Sequence, residues 1–262
     1  MVIFQRSRKA RWWLFALLCA AAAGCLPQPD IVISTVVPTT QQPTLSPSPS
    51  STPFPPATLT PTPQLPTATP SITPFPEPAG CLQPPDDYST LEVNGWTMNR
   101  RTFAMLEHAA ELYGGEIDVT GWAITQGSFH DNGAASFGTH LGGGAVDLSV
   151  MRTNTWTVLY DDIEPLIHAL RIAGFAAWLR DPDELYPGSP IHIHAIAIGD
   201  RELSQPAIDQ LTGKFGYFRG YTGIPIVSGT PAPDRHGGPI LCNWMRASGY
   251  RDLRLTAVPA DE

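Results

Sequence analysis

Two histidines one residue apart, His192 and His194, and a histidine seven residues before an aspartate, His140 and Asp147, are the side chains best suited to chemistry. Together they supply two neutral imidazoles and one carboxylate for a divalent cation, and leave one imidazole over. Three protein ligands keep a fourth position open for water, the pattern of a catalytic rather than a structural zinc site. Two nitrogen donors and one oxygen donor suit zinc as a borderline metal and give a site of net charge about +1. Such a centre lowers the pKa of water toward ~7 and polarises a carbonyl. The roles that follow are His140, Asp147 and His194 as zinc ligands and His192 as base or as stabiliser of a tetrahedral intermediate. An imidazole suits that task because its ordinary pKa lies near working pH. The competing reading makes both histidines satisfied core residues, since imidazoles on an interior strand need polar partners in any case.

These side chains need elements to aim them. Residues 192–198 read as a strand apolar on both faces, hence interior to a sheet, and alternation projects His192 and His194 from one face. Asp147 falls on a second strand, 145–150, with Ala145 and Ser149 on its face. The triple glycine 142–144 permits a chain reversal that carries His140 back toward Asp147. Around them the spacing predicts helices over 99–113 and 161–173, each stopped by glycine, and a short capped helix over 204–211. Residues 116–126 alternate and predict a strand, as do 175–179. Residues 181–190 read as a loop, and from Gly216 onward a wrapped coil is expected. This order implies an α+β domain with helices packed on a small, mostly antiparallel sheet.

The front of the chain says where the site works. Arg6, Arg8, Lys9 and Arg11 precede an apolar run over 12–23, a secretory layout too short for an ordinary membrane span. Ala22-Ala23-Gly24-Cys25 resembles a bacterial lipoprotein cleavage box, which implies removal of residues 1–24 and a lipid anchor on Cys25. Residues 25–80 form a tether: 16 of the 28 prolines lie over 27–80, interleaved with Thr and Ser. That composition cannot offset its ordering entropy; as extended polyproline it reaches roughly 150 Å at most. Losing the leader's four cations takes the net charge from −8 to −12, which argues against nucleic acid or anionic lipid as partner. Cys81 and Cys242 remain at the two ends of the folded region 81–262, and in an oxidising compartment such a pair suggests a disulfide.

The combined pattern resembles the zinc D-Ala-D-Ala metallopeptidase superfamily, which includes DD-carboxypeptidases, phage L-alanyl-D-glutamate endopeptidases and the hedgehog domain. The motif His-x-x-Gly-x-Ala-x-Asp is met by His140, Gly143, Ala145 and Asp147, and a later His-x-His by His192 and His194. Ile124-Thr125-Gln126-Gly127 is similar to the strand before the metal loop in the phage enzymes. The resemblance implies a hedgehog/DD-peptidase-like fold and hydrolysis of peptide bonds in peptidoglycan stem peptides or cross-links. It departs where an arginine commonly follows the Thr-x-Gly turn to grip a substrate carboxylate: Phe129 stands there, and Arg180 or Arg152 would have to arrive from elsewhere. Gln126, Ser128 and His130 are further substrate-contact candidates, with Asp183 and Tyr186 at the rim, Trp178 at the rim or, the better reading, in the core, and Asp181 as a partner for a liganding imidazole. The alternative is a non-catalytic module on the same fold that binds cell wall or protein.

Overall fold

The computed structural model describes residues 76–256 apart from 132 and 226–230. The secretory segment, Cys25 and the tether up to residue 75 lie outside the described residues.

A hairpin, β1 (Thr90–Val93) and β2 (Trp96–Asn99), opens the fold. Its turn is Asn94-Gly95, both at positive φ, the geometry that matches the twist of paired strands. Asn99 then caps helix α1 (Arg100–Tyr113) by accepting from the Thr102 amide, and Gly114 ends it at a φ of 60°. A four-stranded antiparallel sheet follows, in the order β3, β4, β6, β5. Its strands are β3 (Ile124–Gln126), β4 (Ala145–Ser149), β5 (Phe175–Arg180) and β6 (His192–Ala197). Helix α2 (Tyr160–Ala173) leads into β5 through Gly174, and α3 (Gln205–Thr212) and α4 (Asn243–Ala247) complete the domain.

The α+β class with a small antiparallel sheet is as expected, and β6 lies inside the sheet with all six residues buried. The expected strand over 116–126 shrinks to its last three residues. The Asp118 carboxylate accepts from the amides of Thr120 and Trp122, so these groups turn locally instead of joining the sheet.

Both sheet faces are covered, by different material. Val146, Leu148, Ile193 and Ala195 pack with Met105, Leu106, Leu166 and Leu170 of α1 and α2. On the other face Ala176, Trp178 and Ile196 pack with Ala207, Leu211, Tyr217, Phe218 and Met245. Each large apolar side chain buried this way contributes about 1.5–3 kcal/mol. The segment after Gly216 therefore supplies five of the twelve buried residues of this second core, Tyr217, Phe218, Leu241, Cys242 and Met245. It is held by Arg171 of α2, whose guanidinium donates to the carbonyls of His236 and Gly238 and, at 2.7 Å, to the Asp234 carboxylate. That ion pair is fully buried.

Cys81 and Cys242 form a disulfide with a Cα–Cα distance of 5.6 Å, closing a loop of 161 residues. Reduction is expected to lower stability by about 2–4 kcal/mol, read as a shift in denaturation midpoint with and without reductant. An unchanged midpoint would show that the bridge constrains nothing.

Candidate functional site

The sheet register assembles the site. Asp147 lies opposite His194 in the β4–β6 pair and opposite Gln126 in β3. Across the β5–β6 pair Trp178 faces His194 and Arg180 faces His192. Directly opposed residues project on the same side, so Gln126, Asp147, Trp178, Arg180, His192 and His194 share one face. The pattern that buries Val146 and Ile193 under α1 and α2 thus leaves the polar set on the other side.

His140 arrives separately, on a single 3-10 turn, Thr139–Leu141. The glycines after it are required by crowding. A Cβ on Gly142 would lie 2.2 Å from the Glu202 carbonyl oxygen, and Gly144 has a φ of +79°. The Gly143 amide donates to that same carbonyl at 2.7 Å. The chain reverses tightly there and brings His140 Nε2 to 3.3 Å from Asp147 Oδ1.

Hydrogen bonds to backbone carbonyls fix two ring tautomers, since a carbonyl only accepts. His140 Nδ1 donates to Gly127 O at 2.8 Å, which turns Nε2 toward Asp147. His192 Nδ1 donates to Pro190 O at 2.8 Å, leaving Nε2 as the free ring nitrogen, 3.9 Å from Asp147 Oδ2. His194 presents Nδ1 to Asp147 Oδ1 at 2.7 Å. Its ring stacks on Trp178 at 6.1 Å and 13°, and the Trp178 indole is anchored on the Tyr221 carbonyl.

Electrostatics follow from burial and one charge. Burial opposes a proton on His140, but the Asp147 charge and hydrogen bond outweigh it and raise its pKa. Burial likewise opposes the charge on Asp147, yet His140 and His194 hold its carboxyl well below the usual range. His194 is driven down to about 4, chiefly by burial. Asp147 is therefore an anion and His194 a neutral donor. An anion facing imidazole nitrogens calls for a cation between them, either a proton on His140 or a metal. The donor atoms of His140, Asp147 and His194 all lie within 4.8 Å of one another. This buried group can hold a metal ion, and two nitrogens with one carboxylate oxygen fit a borderline divalent cation.

A pH dependence follows. The depressed carboxyl contributes stability that is complete above the unfolded value near 4 and lost as pH falls through the folded value. The raised imidazole contributes stability that is complete below about 6.5 and lost as pH rises through its folded value. The metal-free pair is thus most stabilising between about pH 4 and 6.5. A metal has to displace the His140 proton, so its stabilisation grows with pH. The gap in thermal midpoint between metal-supplemented and chelated protein is expected to widen from about pH 6 to 8. A gap independent of pH would place the ion elsewhere.

These groups open on a cavity of about 330 Å³, walled also by Phe137, Tyr186 and Gln210. Four of its lining residues each carry a buried polar atom without a hydrogen-bond partner: Gln126 Nε2, Arg180 Nη1, His194 Nε2 and Gln210 Oε1. Arg180 is anchored by Nη2 on the Thr222 carbonyl, with its guanidinium over the Trp178 ring. Burial lowers its pKa to about 10, so it stays charged at neutral pH.

No protein-family model, curated protein or solved structure matches this chain. Its chemistry has to be read from the geometry.

Of the residues singled out from sequence, His140, Asp147, His192, His194, Gln126, Arg180 and Tyr186 line this cavity. Others do not. Ser128 is buried and spends its hydroxyl on the Ala145 carbonyl. His130 packs edge-on against Trp96, and its amide donates to the His140 carbonyl, so it braces the His140 turn from outside. Asp181 forms a two-pronged surface pair with Arg235 and orients no imidazole. Asp183 accepts from the Gly188 amide within its own loop. Arg152 is taken by Glu116 and supplies no cation to the site. Gln210 was not anticipated, because a glutamine on an amphipathic helix carries no local signal.

Proposed function

We propose that this chain is an extracytoplasmic zinc peptidase, anchored through a lipid on Cys25, that cleaves peptide bonds in peptidoglycan stem peptides or their cross-links. The observation that carries the reading is the convergence of His140, Asp147 and His194 beside an uncommitted His192 Nε2, on a cavity whose walls hold unpartnered donors. The motif resemblance to the zinc D-Ala-D-Ala metallopeptidase superfamily supports it. So do the basic-then-apolar leader and a disulfide suited to an oxidising compartment.

Zinc held by these three residues would supply a Lewis acid and make water acidic enough to attack at neutral pH. The chain's own groups do the rest. His192, oriented by its Nδ1 bond to Pro190, takes a proton from the attacking water at Nε2 and delivers it to the leaving amine as the C–N bond breaks. Arg180 Nη1 and Gln126 Nε2 donate to substrate oxygens, Arg180 serving as the cation that Phe129 cannot be. Trp178 keeps solvent off the His194 ring.

Zinc quantification joined to mass spectrometry of peptidoglycan digests tests the proposal. Stoichiometric zinc and new peptide termini are expected. Protein that takes up no zinc removes the reading, whereas zinc with muropeptide binding but no new termini identifies the non-catalytic module.

A further inference from the structure

A second cavity of about 500 Å³ shares Phe137, Gln210 and Ile224 with the first and continues along α3 between Pro206, Phe215 and Pro225. Gln210 stands where the two meet. The residue is 5% exposed, and its Oε1 accepts no hydrogen bond. Its position is constrained from outside. Gly223 crosses it with a φ of +72°, and a Cβ there would lie 3.2 Å from Gln210 Cβ. A buried acceptor left bare costs about 1–3 kcal/mol, a cost that an N–H brought by a ligand removes.

We propose that the two cavities form one substrate channel, and that Gln210 accepts a backbone N–H of a peptide that continues past the cleaved bond into the second lobe. This rests on the peptidase reading of the site and adds to it. The substrate then extends on both sides of the scissile bond, which makes the activity endopeptidic. Three features favour a continuing peptide as occupant. The unpartnered atoms of the first lobe include donors, Gln126 Nε2 and Arg180 Nη1, whereas Gln210 offers an acceptor; a peptide backbone carries both complements. The second lobe's walls set proline and aromatic rings beside one acid, Asp209, and one base, Lys214, a lining of no net charge that suits a chain with both apolar and polar groups. A single terminal residue held in the first lobe would leave most of the second empty.

The test uses the zinc-loaded chain with two probes prepared from peptidoglycan, a cross-linked stem-peptide dimer and the matching monomer, scored for both binding and cleavage. Wild type is expected to bind the dimer at least about tenfold more tightly than the monomer, the worth of one well-made hydrogen bond with its desolvated partner. Gln210→Ala and the lobe-narrowing Pro225→Trp are each expected to erase that preference as a rise in KM or Kd for the dimer, with zinc content unchanged. Gln210→Glu, which keeps the acceptor, is expected to retain it. Equal binding of dimer and monomer by wild type, or a preference that survives Gln210→Ala, overturns the inference. Dimer-selective binding without cleavage would leave the channel standing and remove only the peptidase reading.

Discussion

His192→Ala is expected to lower turnover of stem peptides by about 10²–10⁴-fold, the usual worth of a positioned acid-base group, while zinc content stays at the wild-type level. The separation of the two effects follows from geometry. The three donor atoms that converge belong to His140, Asp147 and His194, whereas His192 Nε2 stands 3.9 Å from the nearer carboxylate oxygen. Its other ring nitrogen is engaged by Pro190 O, so the alanine variant leaves one carbonyl short of a partner, a stability cost of about 1 kcal/mol. The decisive measurement is kcat beside metal content on the same preparation. Wild-type turnover in the variant would remove His192 as the base, and loss of zinc with turnover would make it a ligand instead.

How much of this was legible in the sequence depended on whether the signal was local. Alternation along β6 places His192 and His194 on one face, and alternation along β4 does the same for Asp147, so the site's sheet half could be read from period alone. What period cannot give is register. That Arg180 stands opposite His192, and Gln126 opposite Asp147, is set by strand pairing across long stretches of chain, and only there do two candidates of modest individual appeal become walls of one cavity. Ser128 and His130 fail for the converse reason: close to the His140 turn in sequence, they are spent on bracing it. The Asn94-Gly95 hairpin carried a strong local signal between strands too short to stand out. In 116–126 the alternation was real, but Asp118 claims the backbone donors. The glycine- and proline-rich tail reads as coil, and most of its described residues are, but Tyr217–Arg219 forms a 3-10 turn and Asn243–Ala247 the helix α4. Its core contribution comes from Tyr217, Phe218 and Met245 meeting a sheet face that only the tertiary structure exposes.

Asp147→Asn separates a metal centre from a mere hydrogen-bonded cluster, and it should be the most damaging conservative change in the site. Zinc affinity is expected to fall by more than the roughly 10–100-fold that loss of an outer-shell partner costs, because the residue lost is itself a donor and the only anion among the three. The metal-free protein should suffer far less. Breaking a buried ion pair costs about 3–5 kcal/mol when the orphaned charge persists, but His140 can shed its proton once the carboxylate that raised its pKa is gone. The penalty is then limited to the pKa shift surrendered, at about 1.4 kcal/mol per unit. His140 loses a raised pKa, so the deficit is full below the unfolded imidazole value near 6.5 and fades as pH rises through the former folded value. Thermal midpoints of wild type and variant, with zinc and with chelator at about pH 6 and 8, give the comparison. A metal centre predicts a large difference between the proteins with zinc, greatest at the higher pH, and a small one without it at that pH. Equal destabilisation with zinc and with chelator would mean that the cluster serves packing alone.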